Sequence, residues 1–131
     1  MTLLEAIIEY LASTGCVVGD GIDCFRDFMP ESPDAVVVLH EYAGDPISPY
    51  TESVHRSVQV KVRHTNAAAA RMKAICACAA LRAGTESRRI DFSEDLWGQV
   101  YVRQTPFKLS QDESNRVTYC FNLGITTNIL E

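Results

Sequence analysis

The chain has 131 residues, 47% apolar and 22% charged, ordinary proportions for one globular domain with a sizeable core. A formal charge of −5 argues against a protein that grips nucleic acid through its phosphates, and no apolar run approaches membrane-spanning length. Five cysteines, odd in number and without framework spacing, point to free thiols in a reducing cytosol. The opening MTLLEAIIEY lacks a basic leader and carries Glu5 and Glu9 within its apolar run, so it does not read as a signal peptide. Thr2 and Glu5 instead have the spacing of a capping box at a helix start. Leu4, Ile7, Ile8 and Leu11 mark one face of that helix, which should end at Gly15.

Gly19-Asp20-Gly21 then signals a turn, and residues 22–25 a short edge strand. Residues 29–33 contain Pro30 and Pro33 and must be extended or turning, because proline disfavours helix in the residue before it. Residues 35–42 are apolar on both parities, the pattern of a strand covered on both faces. A loop containing Gly44, Pro46 and Pro49 follows.

The strongest pattern lies in residues 53–82. Val54, Val58, Val60 and Val62 share one parity, and His55, Ser57, Gln59, Lys61 and Arg63 the other. Period two predicts a long half-buried strand with one wet face. Asn66 can cap the helix AAAARMKAICACAALR, and Arg82 followed by Gly84 can end it. Met72, Ile75, Cys78 and Ala79 form its apolar stripe, and its many alanines let it lie close to a sheet or to another subunit. Downstream, Ile90 and Phe92 make a short apolar hook. Residues 98–105 alternate, with Val100 and Val102 opposite Tyr101 and Arg103, until Pro106 ends the strand, bends it or marks an edge. Phe107 and Leu109 precede a polar tip. Val117, Tyr119, Phe121, Leu123 and Ile125 then alternate with Thr118, Cys120, Asn122 and Thr126 in a last strand. The order predicts a single α+β domain over residues 1–131, with a mostly antiparallel sheet and two helices packed on one face. Tyr119, Phe121, Leu123 and Val60 should meet Met72, Ile75 and Ala79 in its core.

Little in the chain points to chemistry. Cys76 and Cys78, two apart on a helix, face nearly opposite ways and read as packing residues rather than a metal or disulfide pair. His40, His55 and His64 lack ligand spacing, so no metal or cofactor is expected. The turns at Gly19-Asp20-Gly21 and Gly44-Asp45-Pro46 carry an acid and open no helix, which disfavours phosphate binding. Asp91, Glu94 and Asp95 read as a solvated turn. The loop at residues 111–116 is either a plain hairpin tip or a contact loop. No enzyme emerges.

Three segments together resemble the phage tail-terminator family, also labelled phage minor capsid protein. FMPESPDAVVVLHEYAGDPISPY is similar to its proline-rich turn, apolar strand and loop. SVQVKVRHTNAAAARMKAICACAAL is similar to its strand ending in arginine before an alanine-led helix, and TPFKLSQDESNRVTYCFNLGI to its closing hairpin. Asn115 departs from the pattern, standing where a glycine is often found, and residues 16–24 do not align.

The resemblance implies a structural virion protein of the tail or neck, assembled in the host bacterial cytoplasm. It implies a homo-oligomeric ring, a hexamer, that caps the tail tube protein and meets the head-completion protein. DNA would pass through the lumen without specific binding, as an acidic subunit suits, and no membrane is involved. Another head–tail neck protein, or a small cytosolic enzyme or ligand-binding α+β domain, would share this composition. For the ring contacts, the sequence offers a basic face at Gln59, Lys61 and Arg63 and an acidic tip at Asp112, Glu113 and Arg116. Their opposite charges could set the register of a head-to-tail contact.

Overall fold

The computed structural model describes residues 2–47, 49–82, 89–93 and 95–128. In chain order the elements are α1 (Leu3–Ser13), β1 (Cys24–Arg26), β2 (Val36–Tyr42), β3 (Val54–His64), α2 (Ala67–Arg82), β4 (Arg89–Asp91), β5 (Trp97–Val102), β6 (Phe107–Gln111) and β7 (Val117–Thr127). The strands make a seven-stranded sheet in the order β1-β2-β3-β7-β5-β4, with β6 also paired to β7. Only β1 runs parallel to its neighbour. This is the expected α+β architecture.

The two strands with the longest alternation form its spine. β3 and β7 pair antiparallel along their whole length, from Val54 opposite Thr127 to His64 opposite Val117. Directly paired residues share a face, so one register decides both faces at once. Val62 meets Tyr119, Val60 meets Phe121 and Val58 meets Leu123, which puts these side chains and Ile125 in one core with the helices. Val37 and Leu39 of β2 and Val100 of β5 extend this layer.

α1 begins as its sequence predicts. Thr2 Oγ1 accepts from the Glu5 amide at 3.2 Å, and the Thr2 amide donates to Glu5 Oε2 at 3.3 Å. At the other end Gly15 takes the left-handed φ of 87° that glycine tolerates. The Gly15 amide donates to the Ala12 carbonyl and the Cys16 amide to the Leu11 carbonyl, closing the helix as a Schellman turn. Leu4, Ile7, Ile8 and Leu11 are buried as expected, joined by Leu3 and Ala6.

α2 is capped by Asn66, whose Oδ1 accepts from the Ala69 amide at 3.0 Å. Of the stripe expected to face the sheet, Cys78 is buried and Ile75 half-buried, but Met72 and Ala79 are not. Ala70, Ala74, Ala77, Cys78 and Leu81 are buried, whereas Met72 is 60% exposed and Ala79 lies outside. The reason is volume. Phe121, Val60 and Leu123 already fill the space above the spine, and alanines let the helix backbone come close to them. The Gly84 stop lies outside the described residues. Tyr10 ties the helices together: its hydroxyl donates to the Ala80 carbonyl at 2.9 Å and its ring meets Phe92 edge-on.

The bend at Pro106 is real and sits on one edge of β7. β5 pairs with residues 123–127 of β7, and β6 resumes on the same edge with Phe107 opposite Cys120. Between them the Asn122 amide donates to the Gln104 side chain at 3.1 Å, so a side chain replaces the ladder where the strand breaks.

Candidate functional site

The sheet face away from the helices carries half-buried Lys61, Gln59, His40 and Asn122 in its middle, while Val38 and Cys120 beside Lys61 are buried. Its residues fall in rows set by the register. Nearest the hairpin end, Val36, Arg63, Thr118 and Ser110 align, followed by Phe25, Val38, Lys61, Cys120 and Phe107. Next come His40, Gln59 and Asn122, with the Arg103 amide donating to the Asn122 carbonyl at 2.9 Å. The fourth row is Tyr42, Ser57, Gly124 and Tyr101.

Arg103 organises the far end of this face. Its guanidinium donates to Tyr42 Oη and to Ser57 Oγ, each at 3.1 Å, and lies 5.8 Å from the centre of the Tyr101 ring. The Tyr101 ring rests on Gly124, where an added Cβ would stand 2.3 Å from Tyr101 Cζ. Sequence reading placed Tyr101 and Arg103 on one side but did not join them to Tyr42 and Gly124. A glycine inside an otherwise apolar strand was the available signal, since it marks close approach by another group.

The expected wet face is only partly wet. Ser57 is buried, and so is Arg63, only 5% exposed. Arg63 Nε donates to the Asp34 carbonyl at 3.0 Å, and Nη2 to the carbonyls of Pro33 at 2.8 Å and Glu31 at 3.4 Å. It is the clamp that holds the proline-rich turn over the end of the sheet. Burial, with Arg116 nearby, pulls its pKa below the ordinary arginine value. Gln59 and Lys61 remain half-buried on this face.

The tip of the β6–β7 hairpin is built around Asp112. One carboxylate oxygen accepts from the Ser114 and Arg116 amides at 3.0 and 2.9 Å, and the other from Arg116 Nε at 2.7 Å. These bonds, led by that from the Arg116 amide, hold the Asp112 pKa below the usual carboxylate range. Asn115 sits at a φ of 61°, the left-handed position where glycine is often found and which asparagine tolerates. Arg116 turns back to the Glu31 carbonyl at 2.7 Å and to the carboxylates of Asp34 at 3.5 Å and Glu31 at 3.7 Å. Arg63 and Arg116 thus grip the same turn. Glu113 is exposed and has no ion-pair partner among the described residues.

The titratable groups are dispersed or already engaged. His55 Nδ1 bonds Thr126 Oγ1 at 2.7 Å, and His64 Nδ1 accepts from the Asn66 amide at 2.9 Å. His40 is half-buried with Nε2 unpartnered among the described residues, and burial, then Lys61, lowers its pKa. Burial, with Asp23 and Asp20 nearby, pushes Cys24 up to about 12, so it stays a thiol. Among the described residues no group of three or more His, Cys, Asp or Glu is placed to hold a metal. Two open grooves of about 340 and 320 Å³ flank α2 beside the Pro106 bend, sharing Cys78, Arg82 and Thr105, with no carboxylate or histidine lining them among the described residues. No described helix is long and apolar enough to cross a membrane.

What this arrangement offers is surface: a sheet face with a half-buried lysine, and a hairpin tip with exposed Glu113. A family model described as bacteriophage tail terminator protein matches residues 10–129. No curated protein is similar enough to match. Among solved structures, a chain described as "Virion of native gene transfer agent (GTA) particle" superposes with a TM-score of 0.57 at 12% identity. The alignment covers 95% of this chain and 93% of that one, and at such identity the likeness is one of fold.

Proposed function

Given that this chain belongs to the bacteriophage tail terminator family, we propose that its copies close into a ring that caps the finished tail tube and joins it to the head. It is a structural virion protein of the neck and tail. A ring of six copies, from the resemblance, would rest on the tail tube protein and receive the head-completion protein. The whole of residues 1–131 acts as one tail-terminator unit and does no catalysis. Assembly takes place in the host bacterial cytoplasm, and DNA slides through a lumen that a subunit of net charge −5 keeps from binding it.

The observation that carries the reading is a sheet face with half-buried Gln59 and Lys61 on the same subunit as an exposed hairpin tip with Asp112 and Glu113. Gln59 and Lys61 offer one surface, Asp112 and Glu113 the other. A tip that meets the face of the next copy makes a heterologous contact, and such contacts close into rings when the rotation allows. Arg63 and Arg116 act from behind, anchoring the turn and the tip so that both surfaces are rigid. Exposed charge pairs are worth about 0–1 kcal/mol each, so the ring should be concentration-dependent alone and stabilised by the tube.

The test is electron microscopy of particles made with and without this chain. A tube end exposes the interface that adds its next subunit until something covers it. Loss of the chain should therefore give tails of uncontrolled length that fail to join heads. Tails of normal length joined to heads in its absence would refute the reading.

A further inference from the structure

We propose that Cys16 and Cys76 form an intramolecular disulfide when the protein meets a small-molecule disulfide outside the reducing cytoplasm. Their sulfurs lie 2.7 Å apart, in direct contact although 60 residues separate them in the chain. Both sides of the contact are held. Cys16 is fixed by the Schellman turn that closes α1, and its carbonyl accepts a bond from Lys73 Nζ, one turn before Cys76 on α2. Cys76 is exposed on the outer face of α2, while Cys16 is buried beneath it. Sequence spacing compared Cys76 only with Cys78. That pair faces apart, and the partner comes instead from the loop after α1.

The burial difference orders the chemistry. The Cys76 thiolate attacks one sulfur of oxidised glutathione, forming a mixed disulfide and releasing glutathione thiolate, which takes up the proton Cys76 gave up. The Cys16 thiolate then attacks Cys76 Sγ, expelling the second glutathione thiolate, which is protonated in turn. Two protein thiols are oxidised by two electrons, and one glutathione disulfide is reduced to two thiols. The product staples α1 to α2 and so locks the N-terminal segment onto the core. Assembly would occur with both thiols free and the staple would set after release, a timing that rests on the virion reading; the bond itself does not.

The purified full-length protein, incubated with oxidised glutathione, should lose two of its five titratable thiols while remaining monomeric on a non-reducing denaturing gel. Peptide mapping should recover the Cys16 and Cys76 peptides linked. The melting temperature should rise by roughly 5–15 °C and return on adding dithiothreitol. Cys76→Ser, a change at an exposed site, should keep the fold and lose both the linked peptide and the thermal shift. A stable glutathione adduct on Cys76 with Cys16 still free, a covalent dimer, or five reactive thiols after treatment would each overturn the proposal. The ring reading stands or falls separately, since the staple forms within one subunit.

Discussion

The two faces of the sheet are made by the same strands yet obey different rules. Under the helices, β3 and β7 present Val58, Val60, Val62, Phe121, Leu123 and Ile125, all buried in one apolar layer. On the other side the same strands present Lys61, Gln59, Asn122 and His55, with Arg63 buried against the turn at residues 31–34 and Ser57 buried beside Arg103. The first face is held by volume and tolerates no gap. The second is held by hydrogen bonds at its two ends, where Arg63 grips one turn and Arg103 joins Tyr42 and Ser57, and between them Lys61, Gln59, His40 and Asn122 are half-buried. The large apolar side chains lie on one face, and the half-buried polar ones on the other.

The largest way to break that division is Phe121→Ala. The ring is fully buried against the alanine face of α2, and its loss should cost about 3–5 kcal/mol in denaturant unfolding. A cost below about 1 kcal/mol would mean that this face is not the core. Arg63→Ala should come next, at about 1–3 kcal/mol, because it takes the Arg63 donor from the carbonyls of Pro33 and Asp34 and leaves Glu31 with Arg116 alone. A neutral result would return Arg63 to the surface role its sequence position suggests.

A smaller effect should follow pH. The folded-state pKa of His40 lies below its ordinary 6.5, from burial first and Lys61 second, with Asp27 acting the other way. The unfolded chain therefore binds the proton more readily. Stability from this group is full above about pH 6.5 and is lost as pH falls through the folded value. Urea midpoints at about pH 7.5 and about pH 5.5 should differ in that direction, and His40→Phe should reduce the difference. An unchanged difference in that variant would assign the effect elsewhere.

The helix-side half of this division was legible in the sequence. Period-two alternation placed every large core residue of β3 and β7 correctly, because a half-buried strand must alternate. The capping pair Thr2 and Glu5, the cap at Asn66 and the bend at Pro106 were legible because each is decided within a few residues. What was not legible depends on distance. The inward face of α2 is set by how much room Phe121 leaves, so the alanines won over Met72 and Ile75. Arg63 read as wet because its partners, three backbone carbonyls some thirty residues upstream, leave no mark on the side-chain pattern. The Tyr101–Gly124 stacking and the Cys16–Cys76 contact likewise exist only once strands and helices are brought together.

If the Lys61 face and the hairpin tip of successive subunits meet, a charge exchange between them should be tolerated only when both sides change. Lys61→Glu and Glu113→Lys each alter an exposed or half-buried side chain with no ion-pair partner among the described residues, so each should leave unfolding nearly unchanged. In sedimentation velocity over a concentration series, the native protein should associate, and either single variant should shift toward monomer by roughly 5-fold or less per contact. The combined variant should recover association, because the two opposite charges face each other again with their signs exchanged. Native protein that stays monomeric at every concentration, or a combined variant no better than the singles, would contradict the account.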